Sequence, residues 1–271
     1  MPNDKTATDD IDDQILDRDG ALRGISVQLY SLREASKTDF DGVLEKLADL
    51  GFDAVEPFNL FGKSPREFAR QVEGLGLQIS SSHVPWATGT DARELADTLA
   101  EFGLRRAIGG YLPDAMNTEA ALKATIDNTN RLVDELAAEG ITLALHNHWW
   151  EFAPVPDSKD ERLIHHRLQA ECPDVEFELD TYWAANFGAV DVTVEMQRVA
   201  PRAPLLHIKD GPLTKGEPMV AVGSGTQPIA DIIGAADADV LEWLVVELDD
   251  CATDMLSAVS ESREFLDKLL G

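Results

Sequence analysis

TEAALKATIDNTNRLVDELAAEGITLALHNHWWEF, residues 118–152, contains the pattern that decides the fold. Apolar residues recur at helical spacing as far as Glu139, and Gly140 supplies a helix-ending glycine. LALHNH (143–148) then follows as a short run suited to a buried strand. A long helix feeding directly into a short strand is one step of a βα alternation, and the same step recurs on both sides.

Upstream, GISVQLY from Gly24 reads as a strand and DFDGVLEKLADLG from Asp39 as an amphipathic helix with a terminal glycine. DAVEPF and SPREFARQVEGLG repeat the pair, the helix carrying Ser64 at its cap and Pro65 at its first position. LQISSSH with DARELADTLAEFG gives the third unit, and RRAIGGY leads into the long helix. Downstream, KDERLIHHRLQAE, VEFELD, VDVTVEMQRVA and PLLHIKD continue the alternation. After PLLHIKD a glycine- and proline-containing loop precedes IADIIGAAD, and EWLVVELD with DMLSAVSESREFLDKLLG ends the chain. Sustained alternation implies parallel strands joined by right-handed crossovers. Eight units predict an α/β fold, a single (β/α)8 barrel over residues 21–271, with an open doubly wound sheet as the alternative. No glycine-rich dinucleotide turn follows the first strand, which counts against that alternative.

In a closed barrel, alternate strand residues point inward and the site lies at the C-terminal mouth. Alternation sends Ser26, Gln28 and Tyr30 inward, and likewise Glu56. It groups Ile79, Ser81 and His83 on one face, and Ala144, His146 and His148 on another. Glu176, Glu178 and Asp180 follow, then His207 with Lys209 and Glu247 with Asp249. Carboxylates and imidazoles crowded at one mouth call for a compensating cation. The mixed O/N donors suit one divalent ion, Mn²⁺, Mg²⁺, Co²⁺ or Zn²⁺. Glu176 and Glu178, deeper in the barrel, are expected to form a structural polar layer, while His165 and His166 are expected to face solvent from their helix. Lys209 next to Asp210 admits a simple salt bridge. Trp86, Trp149, Trp150 and Trp183 suit either packing or the apolar face of a bound ligand.

Composition narrows the function class. Fifty acidic residues against 23 basic ones give a net charge of -27, spread along the whole chain rather than gathered in a tail. Such a Lys-poor acidic surface resembles that of halophilic proteins, whose self-repulsion is screened at high salt. It argues against a nucleic-acid partner, whose phosphates select basic surfaces. No apolar run approaches membrane-helix length, which predicts no membrane partner. Cys172 and Cys251 lack redox or metal spacing, and the acidic lead-in over residues 1–20 reads as flexible and unlike a signal peptide. The expectation is a cytoplasmic protein, compatible with a homo-oligomer.

The combination of ISVQLYSLR, HNHWWEF, ELDTYWA, LLHIKD and VVELDD resembles the xylose isomerase-like TIM barrels. That family includes sugar phosphate isomerases/epimerases, tagatose- and psicose-type 3-epimerases and inosose dehydratases, with endonuclease IV as a distant relative. The resemblance implies one divalent metal held from the fifth to eighth strands. Carried over, the ligands are Asp180, His207 and Glu247, with Glu151 as the fifth-strand donor and His148 its rival. Many relatives read VEQD at the last strand where this chain has Leu248, a position that alternation turns toward the helices.

Such a site would acidify a sugar C–H and stabilise the resulting enediolate. Glu151 and Glu247 are the expected acid/base pair, with Lys209 and His148 as further catalytic candidates. Gln28, Glu56, His83, His146 and Trp183 are the candidates for holding a small sugar or cyclitol. The expected activity, in carbohydrate metabolism, is a metal-dependent isomerase or epimerase, with dehydratase or lyase action on a keto-sugar or keto-inositol as the alternative. An endonuclease IV-like phosphodiesterase would need basic DNA-facing loops, and a non-catalytic sugar-binding barrel would lack part of the ligand set.

Overall fold

A computed structural model describes residues 22–156 and 158–271; the acidic lead-in lies outside the described residues. The eight strands are β1 (Gly24–Gln28), β2 (Ala54–Glu56), β3 (Gln78–Ile79), β4 (Arg106–Gly109), β5 (Thr142–His146), β6 (Glu176–Asp180), β7 (Leu205–Ile208) and β8 (Trp243–Val246). They form one parallel sheet in the order β3-β2-β1-β8-β7-β6-β5-β4. Pairing of β1 with β8 closes the chain's two ends on each other, as the barrel reading requires. The remaining seam lies between β3 and β4, where no ladder forms among the described residues. Residues beyond β3 bridge it: the Ala87 N–H donates to Ile108 O (2.9 Å) and the Thr88 hydroxyl to Gly110 O (2.6 Å).

The helices are α1 (Arg33–Asp49), α2 (Pro65–Gly74), α3 (Ala92–Phe102), α4 (Glu119–Ala138), α5 (Ile164–Glu171), α6 (Thr181–Ala184), α7 (Val192–Val199), α8 (Ile229–Gly234) and α9 (Met255–Leu270). Local chemistry sets several of their starts. Ser64 and Glu67 form a reciprocal capping box on α2, and Asp91, Thr118, Asp191 and Asp254 cap α3, α4, α7 and α9 with side-chain oxygens. The first helix begins at Arg33, upstream of the expected Asp39, yet Asp39 itself is non-helical and its Oδ1 accepts the Gly42 N–H (3.0 Å). It caps the second segment of a kinked helix.

The strands sort by alternation. Ile25, Val27, Val55, Leu143, Leu145, Phe177, Leu179, Leu206, Ile208, Leu244 and Val246 belong to the core between sheet and helices. Ala54, Ile108, Ala144, Leu205, Trp243 and Val245 fill the barrel interior as a separate apolar cluster. Beneath that plug, Arg106 binds Glu176 (2.5 Å) and Glu242 (2.9 Å), a polar floor at the N-terminal end. Above it the interior becomes polar, and the site begins there.

The third strand departs from the expected parity. β3 ends at Ile79, which packs with the helix-facing core, while the Ser80 hydroxyl turns inward to Ser26 (2.7 Å). His83 still reaches the interior, because the chain leaves regular strand geometry and its N–H is taken by Pro57 O (2.9 Å). On α5, His165 is buried and not solvent-facing: its ring lies between Phe152 (4.5 Å) and Phe177 (5.0 Å). Its neighbour His166 pairs with Glu195 (2.7 Å).

Candidate active site

A cavity of about 300 Å³ opens at the C-terminal mouth, lined by Tyr30, Phe58, His83, Trp86, His146, His148, Lys209, Glu247 and Asp249. A larger one of about 700 Å³ lies at the opposite end. Arg106, Glu176 and Glu242 in its lining are consumed in the ion pairs of the barrel floor, and active sites of this architecture lie at the opposite, C-terminal mouth.

Two histidines and two carboxylates, one from each of four consecutive strand ends, meet below that mouth: His146, Asp180, His207 and Glu247 present ligand atoms within 4.8 Å of one another. Strand register produces this convergence, since β6 and β7 pair Asp180 with His207 directly. Glu247 follows the last residue of β8, with its N–H on Ile208 O (3.2 Å). The fifth-strand member of this set is His146, the last residue of β5, rather than Glu151 or His148. Glu151 lies on a short 3₁₀ turn (Trp150–Phe152), buried, with its Oε2 accepting the His148 N–H (3.0 Å). Burial pushes its carboxyl well above the usual carboxylate range. His148 lines the cavity wall, its ring stacked on Trp150 (4.3 Å).

Lys209 is 1 % exposed, and its ammonium lies 2.8 Å from Asp180 Oδ2, 2.9 Å from Glu247 Oε2 and 2.7 Å from Asp249 Oδ2. It pairs with those three rather than with Asp210. Consecutive strand residues face opposite ways, and Asp210 instead accepts the backbone N–H groups of Gly211, Gly223, Gly225 and Gln227 at 2.8–3.1 Å. That carboxylate ties together the two ends of the loop after β7, and Gly225 is required there. A Cβ on it would stand 2.1 Å from Asp210 Oδ1. Trp183, half-buried on α6, has the Lys209 ammonium 5.5 Å from its ring centre.

A further layer of buried polar groups lies beneath. Gln28 donates to Glu56 Oε2 (2.7 Å), and that oxygen also receives His207 Nε2 (2.8 Å) while His207 Nδ1 faces Glu247 Oε2 (2.8 Å). Gln28 and Glu56 are fully buried and lie outside the cavity lining, behind His207. Glu178, which the sequence assigns to a structural polar layer, lies in this layer, where it accepts His83 Nε2 (2.6 Å) and lies 3.1 Å from His146 Nδ1. The signal that points to it is its inward parity with Asp180, two residues on.

The electrostatics follow from burial and neighbours. Burial opposes charge on His207, but Glu178, Glu56 and Glu247 outweigh it and hold the imidazole well above its ordinary range. Burial likewise opposes charge on Lys209, and Asp180, Glu247 and Asp249 overcome it. Glu247 would be raised by burial, yet Lys209 and His207 keep it well below the usual carboxylate range and so ionised. Burial pushes Asp180 up to about 6 and His148 down to about 4, with Lys209 opposing the first shift and adding to the second. The site therefore pairs an ionised carboxylate, Glu247, with a neutral imidazole, His148, and a fixed ammonium.

The sequence model of the xylose isomerase-like TIM barrel family matches residues 44–269. No curated protein matches the chain. Among solved structures, a sugar phosphate isomerase/epimerase from Parabacteroides distasonis superposes with a TM-score of 0.72 at 23% identity, over 91% of this chain and 93% of that one. D-allulose 3-epimerase from Methylomonas sp. gives 0.65 at 16% identity, over 93% and 99%. A probable 3-DHS dehydratase involved in petrobactin synthesis, from Bacillus anthracis, gives 0.65 at 14% identity, over 90% and 98%. At these identities the structural likeness establishes the fold. With the family match over most of the sequence, it shows that the chain belongs to the xylose isomerase-like TIM barrel family.

Proposed function

We propose that this barrel is a divalent-metal-dependent isomerase or epimerase of a small sugar or cyclitol. The observation that carries the reading is the convergence of His146, Asp180, His207 and Glu247 below a mouth cavity that also holds Lys209 and His148. The donors fit a metal. Asp180 Oδ2 is buried without a hydrogen-bond partner, and two imidazoles with two carboxylates suit a borderline divalent ion. Lys209 Nζ lies 2.8 Å from that same Asp180 oxygen, and Asp249 offers the ammonium an alternative partner. In this reading His146 takes the fifth-strand role, and Glu151 shapes the turn that carries His148. A divalent ion held there would polarise adjacent hydroxyl and carbonyl oxygens of a sugar and acidify the C–H between them.

The protein's own groups supply the rest. Glu247, ionised and 5 % exposed at the cavity floor, accepts the carbon-bound proton. Lys209 is charged and pre-positioned to donate hydrogen bonds to the developing oxyanion. His148, neutral at physiological pH and on the cavity wall, is placed to exchange a proton with a substrate oxygen or the neighbouring carbon. Tyr30, Phe58 and Trp86 give the cavity apolar walls that limit water access. Dehydration is the second reading. It is favoured by Lys209 and His148 flanking one cavity, where both can donate a hydrogen bond to a departing β-hydroxyl.

Metal analysis and hydrogen exchange test the proposal. Wild-type protein reconstituted with Mn²⁺ and incubated with a panel of keto-sugars and keto-inositols in D₂O should incorporate deuterium at carbon. Glu247→Gln should slow this by about 10²–10⁴-fold, the usual contribution of a general base. Absence of both metal uptake and exchange across the panel would overturn it.

A further inference from the structure

We infer that the barrel has a second cation site, deeper than the first, made by His83, His146, Glu178 and the Nε2 face of His207. Three imidazole nitrogens from three different segments converge on one carboxylate oxygen, Glu178 Oε2. His83 Nε2 lies at 2.6 Å, His146 Nδ1 at 3.1 Å and His207 Nε2 at 3.4 Å. Glu56 adds a flank, its Oε2 2.8 Å from His207 Nε2 and its Oε1 3.5 Å from His83 Nε2. Donors bound to one ion at about 2.1 Å stand about 3.0–3.4 Å apart in octahedral or tetrahedral arrangement. The observed separations bracket that range.

Hydrogen bonding alone leaves the cluster incomplete. Glu56 Oε1, Glu178 Oε1 and His146 Nδ1 are buried without a hydrogen-bond partner, an arrangement native interiors seldom tolerate unless an ion or water completes it. Glu56, Glu178 and His207 are fully buried and His146 is 6 % exposed, so bulk water does not satisfy these atoms. The set shares His146 and His207 with the mouth site and differs from it in its carboxylate, in His83 and in the face of His207 that it uses. Nδ1 of that ring points to Glu247 (2.8 Å), and Nε2 points down to Glu56 and Glu178. His83 and His146 line the mouth cavity, which gives an ion a way in. Three imidazoles with one carboxylate favour Zn²⁺ or Co²⁺ over Mg²⁺, whose preferred ligands are oxygens. An ion there would supply, from below, positive charge for the buried Glu56 and Glu178.

Co²⁺ titration of the chelator-treated full chain, followed by equilibrium dialysis and visible absorption, separates the two sites. Asp180→Asn, which touches only the mouth site, should still take up one Co²⁺ per chain with the strong visible bands of a nitrogen-rich, low-coordinate ion. Adding His83→Gln or Glu178→Gln to Asp180→Asn should weaken that binding at least 100-fold. His83→Cys in the same background should restore it with a new thiolate-to-cobalt absorption, which an unfolded variant would not give. Loss of all Co²⁺ binding in Asp180→Asn would overturn the deeper site while leaving the proposed function standing, as would binding indifferent to both His83→Gln and Glu178→Gln. Failure of the proposed function shows separately, as unaltered deuterium exchange in Glu247→Gln.

Discussion

His165 makes the stability of this barrel depend on pH in a way that a single substitution removes. Its imidazole is wedged between Phe152 and Phe177, and its Nδ1 accepts Gln169 Nε2–H (2.9 Å) while Nε2 is buried with no partner. Burial, with smaller contributions from His166, Arg202 and Arg198, pushes its pKa down to about 3. In the unfolded chain it returns to about 6.5. A histidine depressed on folding stays neutral in the native state while the unfolded state takes up the proton. The stabilisation is therefore complete above pH 6.5 or so and is lost progressively as pH falls toward the folded value. A tenfold difference in proton affinity between the two states corresponds to about 1.4 kcal/mol, so the full span from about 6.5 to about 3 amounts to roughly 5 kcal/mol. The portion lost between pH 8 and pH 5 is about 2 kcal/mol. His165→Phe fills the same slot with an aromatic ring that does not titrate and has no orphaned nitrogen. Urea unfolding of both proteins at pH 8 and pH 5, at fixed high salt, isolates the contribution of His165 as a difference of differences, because every other side chain is common to both. The variant should lose about 2 kcal/mol less than wild type over that interval. Equal losses would show that His165 is not held neutral by its surroundings, and the reasoning would fail.

Lys209→Met leaves Asp180, Glu247 and Asp249 facing one another without their shared cation. Breaking a buried pair costs about 3–5 kcal/mol, so thermal unfolding of the metal-free variant should begin roughly 10 °C lower; an unchanged midpoint would count against the buried ammonium. With a net charge of -27, the midpoint of wild type should rise between 0.1 M and 2 M NaCl as the Debye length falls from about 10 Å to a few ångströms, and a flat or falling curve would refute self-repulsion as a significant contribution. Asp210→Ala removes the acceptor for four backbone N–H groups, so the loop over residues 211–227 should open and tryptic cleavage at Lys215 should appear in mass spectra; resistance equal to wild type would contradict that role.

Legibility in the sequence follows the regularity of the backbone. Asp180, His207 and Glu247 are readable because β6, β7 and β8 hold a two-residue period up to or next to those positions, so a leucine or valine on one face fixes the carboxylate or imidazole on the other. The same rule places His83 beside Ile79, and there it misleads, because β3 stops after two residues and the chain then turns. Glu151 attracts attention as a carboxylate near a strand end. A 3₁₀ turn, not the strand, determines where it points, and that turn commits it to the His148 N–H. Residue type alone sends His165 to solvent. Its helix nevertheless buries Ile164, His165 and Leu168 together, so the helical face outweighs the polarity of the ring.

The resemblance itself rests on the convergence of separate strands, which no single strand could supply. Each polar strand end is ordinary alone; His146, Asp180, His207 and Glu247 gain meaning because four adjacent parallel strands bring their ligand atoms within 4.8 Å of one another. Parity does not reveal depth. Glu178 and Asp180 both point inward, yet one lies among three imidazoles and the other beside an ammonium, because two residues along a strand are about 6–7 Å along its axis. That axial step turns one polar face into two layers, and His207, with one nitrogen toward each, joins them. A substitution at Glu178 should therefore be felt at Glu247 through a single ring, whereas a substitution at Glu176, two residues below and paired to Arg106, should not.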